Sequence, residues 1–579
     1  MSRRLAILLA VLAVLLGLAV TPWSIASPRL KEQVSRELRE TYGLELVASG
    51  QTTLALLPVP RLKFTGVSLA NGTGQVLIEG AQLRGELRLL PLIAARIVLN
   101  DLAVVHGTVQ LALAADGTTS WDAVLAKAKA SLAAHGHSRL RRLLVLRSRF
   151  LIEDQPRQRT VAIEGANLVA RWPSGTSALE VTASASWKGD PVTATLSGLF
   201  PADLVASRRS PVDLHVSSRH GEVHFAGTLA TDEPRLDGEI TASTPSFNDL
   251  LGWTGLARPL PGLAQAVNVS GGFSLSPSEL ALPRTALTSG NDRLDGAVSV
   301  RFDADRAAVR ATLAGESLDL SPMLVPQPDA WNAAIRDVSA LRQADIDLRL
   351  SASTVSLGAG ELHDVAASLL TSADRVELSL GRAGFKSGLV RARVALVCIG
   401  ESYEARLQSS FSRLEAADLL AMLGQPRVMT GQARGQVTLE MAGTSFADML
   451  RSLGGRIEMA VDNGELPGVS LAGQTAAGSR TTTSESRRTG PRTPFQRFAL
   501  NLNVANGLAE MSEGVIEATN LHADVTGRVS FIDRTVSLTA RAGPPGETDP
   551  AASITTITIA GPWTSPAAAP IGSASPGAR

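Results

Sequence analysis

In the stretch SSRHGEVHF, His220, Glu222 and His224 occupy alternate positions, with His215 shortly before them. On a strand this spacing places all three on one face, and two imidazoles with a carboxylate are the side chains that hold zinc and activate water. The helical metalloprotease pattern is different: it sets two His one turn apart with Glu directly after the first, whereas Gly221 follows His220. A working site also needs groups that orient its imidazoles, and nothing in the sequence supplies them. A solvated polar strand face is the simpler reading. His135 and His137 lead into Arg139, Arg141 and Arg142, cations that suit a helix C-terminus without further purpose. There is no phosphate-cradling Gly-rich loop with its Lys, and GVSLAG around Ser470 is one residue too long for a nucleophile elbow. The expectation is therefore a protein that is not an enzyme, with no catalytic residue, metal or cofactor.

The bulk of the chain narrows what positions these residues. Its 579 residues are 44% hydrophobic and 19% charged but only 4% aromatic, so the apolar content is mostly Ala, Val and Leu. Small aliphatics punctuated by 51 Gly and 30 Pro suit many short strands. A net charge of +1 lacks the basic footprint of a nucleic-acid binder. Cys398 is the only cysteine, so no internal disulfide can form.

At the N-terminus, residues 5–20 are uninterruptedly apolar, and Thr21 to Ile25 extend them toward the roughly 20 residues that a bilayer core requires. A membrane anchor over 5–25 is the expectation; a signal peptide cleaved near Ser24 and Ala26 is its rival. Arg3 and Arg4 precede the run, but Arg29, Lys31, Arg36 and Arg39 follow it, so the flanking charge leaves orientation open.

Ser27, Pro28 and Gly43 bracket a helix whose Leu30, Val34, Leu38 and Tyr42 share one face. From there the period becomes two. Leu83, Leu87 and Leu89 alternate with Gln82, Arg84, Glu86 and Arg88. Leu294, Val298, Val300 and Phe302 alternate with Asp295, Ser299 and Arg301, and Ile346, Leu348 and Leu350 with Asp345, Asp347 and Arg349. These are half-buried strands with one wet face, spaced as antiparallel meanders. Leu62 and Phe64 share one parity, Val67 and Leu69 the other, so a β-bulge is expected at Thr65-Gly66. Helices are expected only at 121–134, 246–253, 414–423 and 445–453, too little to cover so much one-sided sheet. Its apolar face must meet a second sheet, itself, or an apolar ligand. Residues 474–494 read as a mobile Ser, Thr and Arg-rich loop, and 561–579 as a disordered Pro and Ala tail.

One resemblance covers nearly the whole chain. After the apolar run and short helix come Leu57-Pro58 with Pro60, a strand ending at 67–69 with Asn71, and Leu90-Pro91-Leu92. Paired strands at 97–102 and 109–113 follow, then Asp116-Gly117 before Trp121. This order resembles the N-terminal region of the AsmA family of bacterial envelope proteins. RFLIEDQ, GEITASTPSFNDLLGWTG and VRATLAGESLDLSPML resemble its central repeats, and MTGQARGQVTLEMAGTSFADMLRSLGGRIEMAVDNGELPGVSL its C-terminal region. The 474–494 insertion and Cys398 depart from the pattern without touching a diagnostic motif.

The resemblance implies a mainly β protein: a transmembrane helix, a short helix, then an elongated, curved, groove-like antiparallel sheet related to chorein-type lipid-transfer proteins. It implies a cytoplasmic segment at 1–4, the anchor at 5–25 and an N-terminal AsmA-like region at 28–135. Central β repeats at 136–410, a C-terminal region at 411–560 and the 561–579 tail complete the division. It further implies an inner-membrane anchor, a periplasmic body and a part in phospholipid transport or outer-membrane assembly. The expected partners are membrane phospholipid and envelope-assembly proteins. Inward strand positions then become groove candidates: Leu62, Phe64, Leu83, Leu87, Leu89, Val298, Val300, Phe302, Ile346, Leu348 and Leu350. A structural or interaction protein of the envelope with its sheet closed on itself is the alternative.

Overall fold

The computed structural model describes residues 23–24, 28–55, 59–87, 99–114, 117–135, 140–155, 158–173, 177–255, 265–302, 306–321, 344–358, 360–400, 402–422, 427, 429–467, 492–545, 555–562 and 567–570. Strands dominate and the sheet is mixed. The chain divides into two compact units, Met1–Thr254 with Ala266–Leu280, and Gly255–Gln265 with Ala281–Arg579.

The first unit opens with the helix Pro28–Tyr42. Gly43, at φ +70°, ends it in the left-handed conformation that glycine adopts without steric cost, and Leu44 N–H donates back to Leu38 O. Val34 and Leu38 are buried against the strands Arg61–Ala70 and Val76–Leu87, as the sequence pattern requires. The bulge forms where the parity changes. Phe64 pairs with Leu83 and Val67 with Ala81, with the register shifting between them, and Gly66 takes φ +61°. Leu62, Phe64, Val67 and Leu69 thereby all face the core.

Among the described strand pairs, antiparallel pairing is interrupted at two joints, which corrects the all-antiparallel expectation. In the first unit Leu99–Val105 and Thr108–Leu113 both run parallel to Arg142–Asp154. A parallel joint needs a crossover, and the helix Asp122–His135 provides it. Strands then continue antiparallel through Arg159–Arg171, Leu179–Trp187, Asp190–Leu199, Ser210–Ser218, Gly221–Ala230, Arg235–Thr244 and Val267–Leu275.

In the second unit Asp292–Arg301 pairs with Ala308–Asp319, which runs parallel to Asp345–Leu357. From Asp345–Leu357 to Ala567–Pro570 each described strand pairs antiparallel with the next described one. Two-residue periodicity specifies which face a side chain takes, not the direction of the neighbouring strand, so these joints escaped the sequence reading.

The expected helices appear as Asp122–His135, Phe247–Thr254, Ala416–Met422 and Phe446–Arg451; Pro201–Val205 is an additional short one. Two boundaries are corrected. Arg492–Ala505 is a strand from its first residue, so the loop expected over 474–494 does not extend through Thr493 and Pro494. Ala567–Pro570, expected in a disordered tail, pairs with the strand Thr555–Pro562. Among the described residues no helix is long and apolar enough to cross a membrane. The anchor expected at 5–25 lies outside the described residues except for Trp23 and Ser24, which are extended and paired with Leu54 and Thr53.

Candidate functional site

Directly opposed residues in neighbouring strands lie on the same face of a sheet, so the register defines rows that cross the strands. In the first unit one such row is Phe64, Leu83, Val104, Val145, Leu168, Ala183, Ala194, Val216, Val223, Ala242 and Val269, apolar at every step. Its environment changes along its length. Phe64, Leu83, Val104 and Val145 are buried, within or beside the core that the helix Pro28–Tyr42 covers. From Leu168 onward the row is half-buried.

A second such row crosses the second unit: Val298, Ala311, Leu348, Leu369, Leu378, Val394, Leu407 and Leu439. At its centre Leu378 is 53% exposed and its partner Val394 is 39% exposed. The ends of the same two strands are closed. Val376 and Cys398 are buried at one end, and Ala383 and Phe385 at the other, where Phe385 joins a core with Leu362, Val365 and Leu414. The apolar face of these two strands is thus exposed in mid-strand at Leu378 and Val394 and buried at both margins, while farther along the row Ala311 and Leu439 are buried on either side. Farther along, Ala433, Val461, Ile516, Ala523 and Ala542 pack into a closed core beside Phe498.

The opposite face is charged and internally paired. Glu377 is its most enclosed acid: Arg393 lies 2.6 Å from one carboxylate oxygen and Arg375 2.7 Å from the other. These guanidinium contacts, Arg393 first, hold the Glu377 carboxyl below the ordinary glutamate value despite the opposing effect of burial.

The groove candidates separate by environment. Leu62, Phe64, Leu83 and Leu87 are 1–3% exposed and belong to the covered core, so they line no open surface. Leu89 lies outside the described residues. Val298, Val300, Ile346, Leu348 and Leu350 are half-buried on the apolar face of the second unit, and Phe302, one residue beyond its strand, is 45% exposed. Leu378 and Val394 were missed as candidates. Their alternation with Glu377, Ser379 and Arg393 was the available signal, but it matches that of every other strand.

His220, Glu222 and His224 do not converge. His220 sits in the turn before the strand Gly221–Ala230, with Nε2 2.8 Å from Asp190 Oδ2 and its ring stacked on Trp253 at 4.8 Å. Glu222 pairs with His215 and His224 with Asp213 on the wet face. Trp253 also meets Trp187 edge-on, and its backbone oxygen accepts from Lys188 Nζ, so the helix Phe247–Thr254 is tied to the Trp187–Asp190 turn. Among the described residues no group of three or more His, Cys, Asp or Glu is placed to hold a metal ion.

The covered N-terminal sheet and the repetitive apolar rows agree with a comparison against known families. The model described as AsmA family matches residues 1–177 and 327–513, well over half of the chain. The chain belongs to the AsmA family. Membership supports a function related to the cell envelope in general terms. The first matched stretch contains the bulged strand and the crossover helix, and the second contains Leu348, Leu378 and Val394. No curated protein and no solved structure matches the chain.

Proposed function

We propose that this AsmA-family protein binds lipid acyl chains along its open apolar rows and assists phospholipid transport or outer-membrane assembly, catalysing no reaction. One observation supports this reading above the others: Leu378 and Val394 expose apolar surface in mid-strand while both margins of their strands are closed. Adjacent exposed apolar side chains support a binding role, and each methylene removed from water there would contribute about 0.8 kcal/mol. Affinity of this origin depends on area and tolerates varied headgroups. The body would act in the periplasm, held by an N-terminal inner-membrane anchor, and its partners would be membrane phospholipid and envelope-assembly proteins.

Native mass spectrometry of the detergent-free protein tests the proposal. Phospholipid should travel with the wild-type chain and be lost from the double variant Leu378→Asp, Val394→Asp. A wild-type chain that carries no lipid would select a structural role in the envelope, a reading supported by the closed cores around Phe64 and Val461.

A further inference from the structure

The crossover helix Asp122–His135 has an unusual seat. Its main packing partners are two other helices, Pro28–Tyr42 on the covered side of the first unit and Pro201–Val205 directly after the strand Asp190–Leu199. Strands that lie between those supports contribute Leu168 and Ala183 to the apolar row, and both remain half-buried. The helix therefore bridges the row where the covered core gives way to the half-open face.

Its two ends are held differently from its middle. At the N-terminus, Trp121 Nε1 donates to Gln110 O at 2.7 Å, and Thr119 donates through N and Oγ1 to the Asp122 carboxylate at 2.8 and 2.6 Å. Asn71 Nδ2 adds a bond to Ser120 O at 3.2 Å. After His135 the chain rejoins the sheet at Arg141, whose N–H donates to Asn100 O. Between these points Val124 is the one buried side chain among residues 122–134; Leu125 is 62% exposed, and Lys127 and Lys129 face solvent. A helix anchored at its first turn, where Val124 is also buried, and with no buried side chain from Leu125 to Ala134 can lift beyond that turn while the sheet stays intact.

We infer that the helix Asp122–His135 is a strap that gates the apolar face of the first unit: an acyl chain moving along the row passes only when the strap lifts. This rests on the acyl-binding reading above and adds a regulated step to it.

A disulfide can pin the strap. A Cβ built on Gly43 would stand 3.7 Å from Lys127 Cβ, within the ordinary disulfide range, although Gly43 has φ +70°. The full chain carrying Gly43→Cys and Lys127→Cys, with the buried Cys398 left in place, would be placed in donor vesicles of phosphatidylethanolamine and phosphatidylglycerol containing a fluorescent acyl-chain phospholipid. Transfer to acceptor vesicles should be about tenfold slower for the oxidised protein and recover on reduction, with neither single substitution responding. Equal transfer in the oxidised and reduced states overturns the strap. Failure of the wild-type chain to move or bind the probe overturns the acyl-binding reading itself. Hydrogen exchange on the unmodified chain supplies a test that needs no substitution: amides 125–134 should exchange together and faster than those of the strand Arg142–Asp154. Equal protection of the two segments overturns the proposal.

Discussion

Leu378 and Val394 face each other across adjacent antiparallel strands, both exposed, on strands whose apolar ends are buried. Because these side chains already meet water, charging them costs little folding energy. Leu378→Asp with Val394→Asp should shift the melting temperature by no more than a few degrees, as expected for surface changes within about 0.5 kcal/mol each. Bound phospholipid should nevertheless disappear. A thermal melt and native mass spectrometry on the same sample check the two halves.

The contrasting case is Phe64, of the same apolar character but 1% exposed beneath the helix Pro28–Tyr42. Phe64→Ala removes a packed ring and leaves a cavity, with an expected loss of about 3–5 kcal/mol by denaturant unfolding. A charge at Leu87, likewise 3% exposed, should unfold the first unit rather than obstruct a lipid path, so it reports on folding alone.

Gly66 holds the bulge at φ +61°, and a Cβ there would come within 2.5 Å of Ser49 Oγ. Gly66→Ala should cost about 1–2 kcal/mol from the left-handed conformation alone. The same change at Gly72, whose Cβ would meet nothing within 4 Å, should be close to neutral. Parallel melts of the two variants make the comparison.

The bulge is where the sequence was most informative. A parity change between Phe64 and Val67 has no other compact explanation once both must face the core. Coverage was not legible in the same way. Leu62 and Leu348 alternate with polar neighbours alike, yet one lies under a helix and the other on a half-open face, because alternation fixes the face a side chain takes and not what packs against that face. The alternating trio was legible in part: Glu222 and His224 lie on the solvated strand face as period two requires, but His220 lies in the turn, where Asp190 and Trp253 claim it.

Glu377 gives the second unit an acid-sensitive point. Its carboxyl titrates below the ordinary value of 4.5 because Arg393 and Arg375 bond the ionised form. A depressed folded value means that the stabilisation is complete above the ordinary one and is lost as pH falls through the folded one. Glu377→Gln should therefore lower stability by about 1–2 kcal/mol at neutral pH. The difference from wild type should close in acid, as followed by urea unfolding across pH.

In the first unit, His220→Ala should loosen the helix Phe247–Thr254 by removing the Trp253 stack and the Asp190 bond, costing about 1–2 kcal/mol. His224→Ala, on the wet face, should stay within about 0.5 kcal/mol. Comparing the two in thermal melts separates a packed imidazole from a solvated one.

The sequential pairing of the second unit carries a consequence for how such a chain can change over generations. Each described strand from Asp345–Leu357 onward bonds to the next described one, so duplicating or deleting one hairpin alters the number of rungs while leaving the remaining registers as they were. Capacity can grow or shrink in whole hairpins, much as a ladder is lengthened, with no redesign of its cross-section.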